Sequence, residues 1–294
     1  MDDQGLAAKG PGRPATERPR GGLPRAGRPW GPSSLLVLTG LTGLFLGLPV
    51  AVLILRAVLD GSLAHALTAR VVLSALSLSL ATTAVSLVLT VALGLPLAFV
   101  LARRRFRGAS LVDAIVDLPI VLPPSVAGLA LLLVLGRRGV FGGALEAVGL
   151  EIPFTTLAVV LAQTFVSAPF FVRSARTGLA GVERDFEDAA RADGASEPQV
   201  FRHVTLPLAG TALAAGIVMS WARALGEFGA TIMFAGNVEG RTQTLPLVVY
   251  GEFQGGDLDA SIAAAAILVL AALGVLIAVR TLHWRAALEL RGLG

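Results

Sequence analysis

"FEDAARADGASEPQVFRHVTLPL", residues Phe186 to Leu208, sets a dense run of charges between two long apolar segments, and its reading organises the rest of the chain. Glu183, Asp185, Glu187 and Asp188 gather where a helix would begin, which suits the positive end of the helix dipole. Phe186, Ala189, Ala190 and Asp193 recur at helical spacing, and Gly194 offers a break in left-handed backbone. A second short helix follows, with Ser196 as cap, Pro198 in the first turn and Gln199 as capping-box partner. Val200, Phe201 and Val204 form its apolar stripe and Pro207 its end. Two such helices are too short to cross a bilayer. They could lie flat on lipid, but anionic headgroups would repel the acidic first helix, so a groove in another protein suits it better.

The flanking segments read as membrane spans. Of 294 residues, 54% are hydrophobic and 15% charged, against about 25% charged in a soluble domain. Each crossing takes about 20 apolar residues, and the apolar runs predict an all-α integral membrane protein with six transmembrane helices. They run Leu35–Leu55, Val71–Ala102, Ala114–Leu135, Phe154–Phe171, Leu208–Phe234 and Ile262–Val279. Gly94 and Pro96 predict a kink in the second span, and Pro123 with Pro124 should interrupt the third and restart it near Ser125. Residues 1–33, rich in Gly, Pro and Arg, read as a disordered basic tail and not as a cleavable signal. Residues 34–58 then hold the first transmembrane helix, 70–280 a core of five, and 281–294 a C-terminal tail.

Basic residues orient such a chain. With the N-terminal tail inside, eighteen Lys and Arg fall on the cytoplasmic side and five outside, namely Arg56, Arg70, Arg137, Arg138 and Arg241. Both termini and the Phe186–Leu208 stretch are therefore expected in the cytoplasm of a multi-pass cell-membrane protein. The chain has no cysteine, which excludes disulfides and thiolate sites. His65, His203 and His283 are too scattered for a metal site. Lys9, followed by Gly10 and Pro11, cannot complete a phosphate-binding loop, so no ATPase site is expected.

The charged stretch resembles the cytoplasmic "EAA" loop of ABC-transporter permeases. That pattern is Glu-Ala-Ala, three residues, Gly, nine residues, an aliphatic residue, any residue, then Leu-Pro. Here it reads Asp188, Ala189 and Ala190, then Gly194, Val204, Leu206 and Pro207, with every spacing kept. Asp188 replaces the family's Glu and Glu187 precedes it, which leaves two carboxylates for the partner-facing position. The resemblance covers about residues 70–280, with the loop at about 183–207. It implies a type-1 ABC importer permease whose loop seats in a cytoplasmic ATPase subunit. It also implies a homodimer of this chain, a dimer of ATPase subunits using ATP and Mg, and an extracytoplasmic oxyanion-binding protein. No cofactor of its own and no nucleic-acid partner is implied.

Two further stretches, Leu118–Gly142 and Arg223–Tyr250, look like the molybdate permeases and their tungstate and sulfate relatives, molybdate foremost. Within them, Arg223 and Glu227 stand one helical turn apart in an apolar span, where ionisable groups are costly unless paired or facing water. They are candidates for a pathway or gate, and equally for a structural pair. Ala222, Gly226 and Ala230 offer a small-residue face for close helix packing. A helix restarting after Pro123–Pro124 would aim unpaired amides near Ser125 at the bilayer interior, a donor set that suits an oxyanion. An ion-coupled secondary transporter predicts internal repeats and several deep carboxylates, and Glu227 is the one clear deep carboxylate. A non-transporting membrane scaffold is opposed only by the embedded Arg223 and Glu227.

Overall fold

The computed structural model describes residues 32–104 and 106–292, with side chains for 35–104 and 106–277. Nearly all of the expected N-terminal tail lies outside the described residues. The chain divides into two units, 1–49 and 50–294. The first helix, α1, Pro32–Leu59, runs across that division and is long and apolar enough to cross a membrane.

Among the described residues of the second unit the regular elements are all helices, and α2 (Ser62–Ala66) leads into α3 (Arg70–Arg103). Two helices follow, α4 (Ala109–Val121) and α5 (Pro124–Leu135), meeting at 118°. The predicted third span is therefore two helices at a sharp angle. Neither proline can donate an amide, and Leu122, ahead of Pro123, is extended as pre-proline sterics require. After α6 (Gly142–Ala147), α7 (Thr156–Ala180) passes well beyond the expected Phe171. Its Arg173 and Arg176 do not end the helix, and they pair with Asp117 and Asp113 of α4.

The elbow comprises α8 (Arg184–Ala192), α9 (Glu197–Val200), a π turn over Phe201–Thr205 and α10 (Leu206–Leu208). Pro207 does not end it. The ring of Pro207 crowds the carbonyl four residues back, and the wider π turn accommodates this without breaking the helix. A 72° bend then leads into α11 (Gly210–Leu225). The predicted fifth span also breaks after Leu225, and a short α12 (Gly229–Phe234) follows. The remainder is α13 (Leu245–Gln254) and α14 (Leu258–Gly292), which carries helical backbone through most of the expected tail. Among the described residues, four helices are long and apolar enough to cross a membrane, or up to six if each bent pair is one span.

Helix α7 is the hub. Its Ala158, Ala162 and Val166 pack with Ala127 of α5 and Phe234 of α12, and its Phe171, Ala175 and Leu179 pack with Ala98 and Leu101 of α3. Lipid gives helices no hydrophobic reason to associate, so small residues and polar groups must hold them. A Cβ on Gly94 would stand 2.9 Å from the Phe171 ring, and one on Gly178 would collide with Ala212 Cβ. Buried hydroxyls of α3 supply the rest. Gln163 Nε2 donates to Thr83 Oγ1 at 3.4 Å, Thr164 to Ser86 at 3.1 Å, and the Leu245 amide that opens α13 to Ser79 Oγ at 2.8 Å.

Candidate functional site

Chain reversal at Gly194, φ +91°, places α8 against the second arm of the elbow. The Gln199 carboxamide oxygen accepts from the Ser196 amide and hydroxyl, both at 2.8 Å, which starts α9 where the capping box predicts. The two candidate carboxylates then separate by environment. Glu187 is buried; its Oε1 accepts from Arg103 Nη2 at the end of α3 and from Thr205 Oγ1, both at 2.7 Å. Asp188 is exposed and pairs with Arg191 at 2.7 Å. Arg191 also holds Glu197 at 2.7 Å. That hydrogen bond keeps the Glu197 carboxyl below its usual range and raises the Arg191 guanidinium above its own.

Helix α8 is thus amphipathic in reverse. Phe186, Ala189 and Asp193 face away from the chain and Ala190 is half-buried, while the turned-in residue is a glutamate. Beneath the elbow, a cavity of about 440 Å³ lies between Leu95, Pro96 and Phe99 of α3 and Pro198 and Phe201. Phe99 meets Phe201 edge to face at 5.1 Å between ring centres.

The second candidate region is the break between α11 and α12. Arg223 Nη1 lies 2.6 Å from Glu227 Oε2, and Glu227 Oε1 accepts the Ala230 amide at 2.7 Å. Only 1% of the Glu227 side chain is exposed, against 29% for Arg223. Glu227 therefore takes over a backbone hydrogen bond at the start of α12, which explains why the helix can break at depth. The predicted small-residue face is not formed as one stripe, because Ala222 and Gly226 stay exposed on α11 while Ala230 is buried in α12. Close approach occurs elsewhere. A Cβ on Gly128 would stand 2.6 Å from Ala230 O, and one on Gly229 would stand 3.2 Å from Ser125 N. The fold so brings the α5 start at Ser125 beside the break that holds Glu227.

Arg137 donates to both Glu151 oxygens at 2.7 Å, and with Phe154 and Arg241 it lines a cavity of about 450 Å³. The bond to Glu151 raises the Arg137 pKa. Among the described residues, no three His, Cys, Asp or Glu converge as metal ligands would. Sequence reasoning missed Arg103, Thr205, Asp113, Asp117 and Gly229. Each acts through a partner remote in sequence, and no local period signals that.

Residues 94–285 match the family of the binding-protein-dependent transport system inner membrane component. The chain belongs to that family. The match takes in α7, the elbow, both breaks and most of α14. Among named permeases, the molybdenum transport system permease protein ModB of Mycobacterium tuberculosis is 47% identical over 206 residues, 70% of this chain and 78% of the relative. A probable molybdenum ABC transporter permease of Haloferax volcanii is 40% identical over 247 residues, 84% and 88% of the two chains. The sulfate transport system permease protein CysT of Salmonella typhimurium is 38% identical over 192 residues, 65% and 69%. In fold, this permease resembles a chain of a bacterial alginate ABC transporter, with a TM-score of 0.70 at 18% identity over 86% of this chain and 94% of that one. It also resembles one of the MetNI methionine transporter, at 0.54 and 20% identity over 72% and 93%. The architecture is that of a type-1 ABC importer permease.

Proposed function

We propose that this chain is the membrane subunit of an ATP-driven importer that carries molybdate into the cytoplasm by alternating access. The observation that carries the reading is the reversed amphipathy of α8. A helix that turns Phe186 and Ala189 to solvent and a glutamate inward has its apolar face free for another protein. That protein is a cytoplasmic ATPase subunit. Asp188, Ala189 and Ala190 meet it, Gly194 holds the angle between the two arms, and Val204, Leu206 and Pro207 carry the second arm into α11. Two permease copies work with two ATPase subunits, which use ATP and Mg, and with an extracytoplasmic oxyanion-binding protein. Both termini and the elbow lie in the cytoplasm, and this chain holds no ATPase site.

Molybdate is favoured by the resemblance of Leu118–Gly142 and Arg223–Tyr250 to molybdate permeases, and by the names of the 47% and 40% identical relatives. Ser125, Arg223 and Glu227 form the gate region, where the chain breaks ahead of α5 and of α12 let two short helices shift without dragging a whole span. The test is reconstitution with the ATPase and binding protein from the same organism, measuring uptake of molybdate, tungstate and sulfate. ATP-dependent molybdate accumulation supports the reading. Preferential sulfate uptake would move the chain to the sulfate branch, and uptake without any ATPase would end the proposal.

A further inference from the structure

We infer that Arg103 and Thr205 are positioning residues that fasten the elbow to α3 through Glu187, so that α3 travels with the elbow when the ATPase moves it. This rests on the docking role proposed for the elbow. Arg103 is the last residue of α3, a 34-residue helix long enough to carry a displacement across the membrane. Glu187 Oε1 takes a hydrogen bond from Arg103 and one from Thr205, across 84 and 18 residues of sequence. The Arg103 and Glu187 side chains are only 11% and 8% exposed.

Separating a pair so far removed from water strands a charge in a poor solvent, so the joint resists opening. Arg103 Nε is buried with no partner among the described residues, which makes the Glu187 carboxylate the compensation for that guanidinium's desolvation. The Arg191 pairs with Asp188 and Glu197 are exposed and can exchange with water, so they cannot serve as a fastening. One turn before Arg103, Phe99 packs edge to face against Phe201, giving the elbow a second seat on the same helix. Phe186 is exposed while Glu187 next to it is buried, so the joint can be altered while the docking face is kept.

The experiment uses the complete transporter in proteoliposomes, with molybdate as probe and two readouts: ATPase retained by the permease, and molybdate imported per ATP hydrolysed. Arg103→Gln and Glu187→Gln should each retain the ATPase and its stimulation by loaded binding protein, while molybdate per ATP falls about tenfold. Arg103→Lys should recover part of the loss. Since the chain has no cysteine, Phe99→Cys with Phe201→Cys can be joined by a short bismaleimide in the Arg103→Gln background. The cross-link should raise the ratio again. Wild-type ratios in both Gln variants, or no rise on cross-linking, would overturn the inference. If a variant fails to insert, spin labels at 100 and 192 in an otherwise unaltered chain decide the matter. Their separation should stay constant between nucleotide-free and ATP-trapped states, and a changed separation refutes a rigid joint. Failure of the docking reading would show separately, as full ATPase retention by Phe186→Asp.

Discussion

Gly229 meets Pro124 so closely that a Cβ on the glycine would stand 2.7 Å from the proline Cβ and 3.2 Å from Ser125 N. Neither neighbour can swing aside, since one is a ring and the other backbone. Gly229→Ala should therefore force α12 away from α5, at about 1–3 kcal/mol as overpacking usually costs. We expect a lower unfolding temperature in detergent and reduced uptake. Gly143→Ala, where nothing lies within 4 Å, is the matched control and should change neither.

The Arg223–Glu227 pair is unequally buried, and its two halves should respond differently to mutation. Arg223→Met strands a carboxylate that is 1% exposed and should cost about 3–5 kcal/mol. Glu227→Gln keeps an oxygen for the Ala230 amide and leaves an arginine that is much less buried than the carboxylate, so its cost should be smaller. The double variant should be more stable than Arg223→Met alone. A double-mutant cycle on thermal unfolding checks the order of the four forms.

Gly194 holds φ +91° with open space around its Cβ position, so backbone conformation alone restricts the site. Gly194→Val should cost about 1–2 kcal/mol locally and change the angle between the arms of the elbow. The protein should still insert, but transport should uncouple from ATP hydrolysis. Gly194→Asn, which tolerates left-handed backbone better, should retain more coupling. Normal uptake by the valine variant would count against the elbow as a lever.

The Glu197 carboxyl is lowered from 4.5 by its hydrogen bond to Arg191. A depressed carboxylate pKa gives stability that is present above the unfolded value and is lost as pH falls through the folded one. Mobility of a spin label at residue 195 should accordingly be flat from about pH 8 to pH 5 and rise only below the ordinary carboxylate range. Both groups are exposed, so raised salt should loosen the same contact at neutral pH.

Much of this protein is written locally. Continuous apolar runs mark α1, α3 and α14, and the Pro123–Pro124 pair marks the junction of α4 and α5. The spacing from Asp188 to Pro207 marks the elbow and, with it, the family. These features depend on residues within a few turns of one another, which is the range that period and backbone sterics cover. The end of α7 is not legible in this way, because Arg173 and Arg176 look like the edge of a membrane until Asp117 and Asp113, about sixty residues earlier, come alongside.

Sequence alone settled that the chain spans a membrane in several helices and carries an acidic elbow of ABC-permease type, because burial in lipid and helix capping act residue by residue. Tertiary structure alone decided that Glu187 turns inward and Asp188 outward, and that Glu227 closes a broken helix at depth. Neighbouring side chains on a helix point about 100° apart, so the pattern sets their relative phase. Which of them meets water depends on where the end of α3 comes to rest, and that is settled only when helices remote in sequence pack together.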